Sequence, residues 1–150
     1  MSKSDKSWVH VRRPGNMLPR FSRVIVLVVS VVIVAGCNGG TVDRHALTND
    51  AATIDSVACE GALLAHNVAK GKTTSNYTRE QAEELKIQSS NLADALAKRP
   101  ALPSIEQKVR AKAKDAAEVA AVLQRLQDNP SDREVAATVE RQLSRLGGCP

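Results

Sequence analysis

Aromatic residues are almost missing from this chain: its 150 residues include one Trp, one Tyr and one Phe. Trp8 and Phe21 lie near the amino terminus, so the stretch beyond residue 37 holds Tyr77 alone. One ring cannot make the stacking platform on which single-stranded nucleic acid is held. A core built without rings must be aliphatic and alanine-rich, with close approach between its elements. The chain has no Gly-x-Ser-x-Gly elbow, no phosphate-cradling glycine loop and no dinucleotide glycine pattern. It also has no Cys-x-x-Cys and no Glu-x-x-His pair. The signatures of a serine hydrolase, a nucleotide enzyme, a thioredoxin-like couple and a di-iron bundle are therefore absent. The expectation is a protein that is not an enzyme and carries no cofactor. No apolar run reaches the roughly 20 residues that a membrane-spanning helix needs.

The longest apolar run, VIVLVVSVVIVAG, spans Val24 to Gly36 and ends at Cys37. As a helix it would cover only about 20 Å, against roughly 30 Å of hydrocarbon. It lacks the polar alternation of a half-buried strand and is long for a buried one. Arg12, Arg13, Arg20 and Arg23 precede it and Ala35-Gly36 closes it. A basic segment, an apolar segment and a small-residue exit together make a signal peptide.

Val34-Ala35-Gly36-Cys37 resembles the lipobox of bacterial lipoproteins: an aliphatic residue, two small residues and a cysteine. The resemblance implies that the Cys37 thiol receives a diacylglyceryl group. Signal peptidase II would then read Val34, Ala35 and Gly36 and cut before Cys37, leaving it as the lipidated amino terminus. The expected location is the cell membrane or outer membrane, lipid-anchored on the extracytoplasmic side. Leucine is commoner in that family where Val34 stands, and the resemblance covers only the first 37 residues. An uncleaved short anchor or an ordinary secretory signal is the competing reading. Met1 or Met17 can open the chain. Arg12-Arg13 hints at twin-arginine export, but Pro14-Gly15 follows it, not phenylalanine-leucine.

The charge divides at the same point. The whole chain is +5. Through Cys37 it holds Lys3, Lys6, Arg12, Arg13, Arg20 and Arg23 against Asp5 alone, so the remainder is neutral. A neutral body has no basic stripe from which to drive counterion release, and no nucleic-acid partner is expected. With Cys37 lipidated, the remaining cysteines are Cys59 and Cys149. An even remainder in an exported chain reads as a disulfide. Closing a loop of about 90 residues stabilises by roughly 4–5 kcal/mol in the chain-entropy account.

Three segments follow: a signal peptide over 1–36, a lipidated terminus and flexible tether over 37–47, and a helical domain over 48–150. Helix one is predicted from about Thr48 or Asp50 to Lys70, on Ile54, Val57, Ala58, Leu64, Ala65 and Val68, with Gly71 as its stop. Helix two is predicted to start at the box Thr78-Arg79-Glu80-Gln81, with Glu80, Glu83 and Glu84 loading its positive end. Its seam is Ala82, Leu85, Ser89, Leu92 and Leu96, and Pro100 ends it. Helix three starts at a box on Ser104 and runs to about Asp128 with broad apolar coverage. Helix four starts at a box on Ser131, uses Val135, Val139, Leu143 and Leu146, and stops at Gly147-Gly148. Short joints favour antiparallel neighbours, so the fold class is all-α, a small antiparallel bundle of about four helices. Cys149 would have to fold back along the bundle to reach Cys59, two turns into helix one.

Three further features compete for a role. Cys59 and His66, seven apart on one helix, make two metal ligands, where zinc wants four or three plus water. Lys108, Arg110, Lys112 and Lys114 form a basic cluster that suits lipid headgroups or an acidic partner, although Glu106, Asp115 and Glu118 offset it. His45 falls in the tether. The functional expectation is a lipid-anchored, non-catalytic interaction module facing an envelope protein. The alternative is a carrier or sensor of a small apolar ligand held between helices.

Overall fold

A computed structural model describes residues 40–149. They form four helices: α1 (Arg44–Ala69), α2 (Ser75–Lys98), α3 (Glu106–Asp128) and α4 (Arg133–Gly147). The main packing pairs are α2 with α3 and α1 with α4. The remaining contacts are α1 with α2, α3 with α4, and α1 across to α3. Sequential helices run antiparallel, as the short joints require. No helix among the described residues is long and apolar enough to cross a membrane.

The seams pack as their spacing demands. Ile54, Val57, Ala58, Leu64, Ala65 and Val68 of α1 meet Val109, Ala116, Val119, Leu123 and Leu126 of α3 in one core cluster, joined by Val139 and Leu143 of α4. Ile54, Leu96, Leu123, Leu126 and Leu143 are fully buried. Each such side chain contributes about 1.5–3 kcal/mol of burial. Small residues let the helices close up. A Cβ on Gly61 would sit 2.7 Å from Leu123 Cδ2 and 2.9 Å from Leu143 Cδ1. That glycine is where α1 touches both α3 and α4. Ser89 fills its seam position by donating to the Ala116 carbonyl at 2.7 Å, which satisfies the buried hydroxyl.

The helix starts differ from those the boxes suggest. α1 begins at Arg44, capped by Asp43, whose Oδ1 accepts from the Ala46 N–H at 2.8 Å. Residues 44–47, expected in the tether, are therefore the first turn of α1. Val42 is fully buried, donates to the Pro100 carbonyl at 2.8 Å and accepts from the Leu102 N–H at 3.3 Å. α2 is capped by Thr74, not Thr78. Thr78 lies one turn inside, buried, donating its hydroxyl to the Thr74 carbonyl. Glu80, Glu83 and Glu84 therefore miss the first turn, where a carboxylate gains from the dipole. At α3 the flanking residue is Ile105 and no side chain caps it, so the Ser104 box does not form. At α4 the cap is Asp132, one residue beyond Ser131, accepting from Glu134 and Val135 N–H.

Candidate functional site

The lipobox residues Val34, Ala35, Gly36 and Cys37 lie outside the described residues. Cys59 and Cys149 are brought together: their Cα atoms are 5.6 Å apart and their sulfurs are at bonding distance, closing a separation of 90 residues. Cys149 does not fold back along the bundle. α4 has 15 residues against 26 in α1, about 22 Å against 39 Å, so it ends level with the middle of its partner. Two glycines finish the approach. A Cβ on Gly147 would meet Ala58 Cβ and the Asp55 carbonyl at 2.9 Å, so a bare backbone brings α4 onto α1. Gly148 then takes the left-handed conformation (φ +62) that turns the chain, and the Cys149 N–H donates to the Ser144 carbonyl at 3.0 Å.

Beside the cysteines lies an open cleft of about 470 Å³, lined by Leu63, His66, Glu140 and Ser144 among others. His66 Nδ1 stands 2.9 Å from Glu140 Oε1, joining α1 to α4 across 74 residues of sequence. Both side chains remain partly exposed. This pair was invisible to sequence reasoning, because only the α1–α4 register places the two side by side. Cys59 Sγ is bonded to Cys149, so it does not offer His66 a second metal ligand. Among the described residues, no three His, Cys, Asp or Glu side chains converge as metal ligands would.

A second groove, of about 510 Å³, runs between the second half of α1 and the start of α2. It is open to solvent, not enclosed in the core. Its rim carries two of the exposed large apolar side chains, Leu63 at 62% and Tyr77 at 54% exposure. The remaining expected features resolve into surface chemistry. Arg110 pairs with Glu106 and Lys112 with Asp115 along α3. Glu84 accepts from Gln81. His45 lies on the exposed first turn of α1, 3.5 Å from the Asn49 side-chain amide. Lys86 of α2 reaches across to Gln124 and Gln127 of α3 at 3.0 and 2.7 Å. No family model, curated protein or solved structure matches the chain.

Proposed function

We propose that the protein is a lipid-anchored lipoprotein of the bacterial cell envelope whose helical bundle is a non-catalytic interaction module. The observation that carries the reading is the lipobox-like Val34-Ala35-Gly36-Cys37 behind a basic and apolar leader. The Cys59–Cys149 pair supports it, since a cross-link over 90 residues fits an oxidising compartment outside the cytosol. Two acyl signals on Cys37 give lasting attachment where one chain gives marginal binding. Interaction falls to the side of the bundle where Leu63 and Tyr77 flank the α1–α2 groove. They are two of the four large apolar side chains exposed among the described residues.

The carrier reading draws on the same groove. Its openness and the tight alanine and glycine contacts in the core favour a protein partner over an enclosed apolar ligand. Labelling with a palmitate analogue in a bacterial host tests the anchor. Label should enter the membrane fraction with the wild-type chain and be lost in Cys37→Ala. A Cys37→Ala chain that is still labelled contradicts the reading.

A further inference from the structure

The point where the chain enters the bundle also carries an exposed apolar tip. Val42 is pinned between the Pro100 carbonyl and the Leu102 N–H, so the chain passes directly beside the α2–α3 loop. Leu102 is 43% exposed there, with Pro100 and Pro103 exposed on either side. From Cys37 to Val42 is five residues, at most about 18 Å fully extended. If Cys37 carries lipid, this end of the bundle is held within that distance of the bilayer, while the opposite end is not so constrained.

The charges beside the tip suit that orientation. Arg44 and Lys108 line an open groove beside the tip with Leu47, Thr48, Ser104 and Ile105, with no acid among them. The nearby acids are occupied: Asp43 caps α1, Asp50 faces Arg99, Asp94 faces Lys98 and Glu106 faces Arg110. Among the described residues Arg44 and Lys108 have no ion-pair partner. The far end mixes both signs: Glu80, Glu83, Glu84, Asp128, Asp132 and Glu134 lie with Lys70, Lys72, Arg79, Arg125 and Arg133.

We propose that this end of the bundle docks on the lipid surface, with Leu102 at the boundary between headgroups and acyl chains and Arg44 and Lys108 against anionic headgroups. The proposal rests on the anchored reading above. Two cations and one leucine bind a bilayer weakly alone, but a short covalent tether makes their encounter intramolecular and raises its effective concentration. The headgroup layer is only about 5–7 Å deep on each side, so a single projecting side chain suffices to cross it.

The test uses the full chain, expressed in a bacterial host, purified as the lipidated product and reconstituted in phosphatidylcholine–phosphatidylglycerol vesicles with brominated acyl chains. Cleavage before Cys37 removes Trp8, so the unsubstituted product is free of tryptophan and serves as the blank. Leu102→Trp and, at the opposite end, Tyr77→Trp place one fluorophore each on the surface, with circular dichroism confirming the helices. The expected result is bromine quenching about twofold stronger for Leu102→Trp than for Tyr77→Trp, because quenching requires the ring to reach the acyl boundary. Equal or reversed quenching in vesicle-bound protein overturns the proposal. Adding Arg44→Glu and Lys108→Glu should lower the Leu102→Trp quenching to its value in phosphatidylcholine alone, and unchanged quenching overturns the assignment of headgroup binding to those cations. Flotation separates the two levels of the account: a chain that does not float with vesicles sinks the anchored reading and this proposal together.

Discussion

The two main helix pairs are held by different means. α2 and α3, with 24 and 23 residues, bury Ala82, Leu85 and Leu96 against Val109, Ala116, Val119 and Leu123. They add a hydroxyl–carbonyl bond at Ser89 and the Lys86 bridge to two glutamines. α4 has 15 residues and fully buries only Ala136, Val139 and Leu143. Its hold on α1 comes from glycine-mediated contact at Gly61 and Gly147, the His66–Glu140 pair and the cysteine link. An isolated helix of that length is marginal in water. Where burial is short, the chain substitutes covalent bonding and backbone proximity.

The largest expected effect breaks the staple. Cys59→Ser with Cys149→Ser should cost about 4 kcal/mol, given the 90-residue loop, and lower Tm by roughly 15 °C. Amide exchange should show α4 losing protection well before α2 and α3. Equal loss across all four helices would mean that the two pairs are not distinct. Next in size, Leu123→Ala removes the fully buried side chain beneath Gly61 that both pairs share. It should cost about 3 kcal/mol by denaturant titration and loosen both pairs together. A smaller change sharpens the contrast: Ser89→Ala should cost about 1 kcal/mol, and exchange should speed at the α2–α3 contact while α4 is unaffected. The smallest is Glu140→Gln. Both members of its pair are partly exposed, so the loss should stay within about 0.5 kcal/mol.

The four helices were legible because three- and four-residue apolar spacing is a property of the chain itself. Every α1 seam residue expected from that spacing is buried: Ile54, Val57, Ala58, Leu64, Ala65 and Val68. The starts were less legible because Thr74 and Thr78 sit one turn apart and both suit a cap. The Glu-rich stretch after Thr78 mimics a box, while Ser75 and Asn76 read as loop residues that favour turns. The early start of α1 was hidden because Val42 gains its place by pairing with the Pro100–Leu102 segment, a contact no local pattern announces. The two cysteines were readable by counting. Their direct meeting without a fold-back depends on the shortness of α4, and the His66–Glu140 pair depends on the α1–α4 register.

Covalent modification at one atom, the Cys37 sulfur, underlies both the proposed anchor and the membrane-facing tip. Intact-mass and fragment spectra of the membrane-extracted protein measure it directly. The prediction is a chain that begins at Cys37, with a diacylglyceryl group on its sulfur and Cys59 and Cys149 oxidised. A chain that still begins at Met1 or Met17, with a free Cys37 thiol, contradicts the anchor and the membrane-facing tip together.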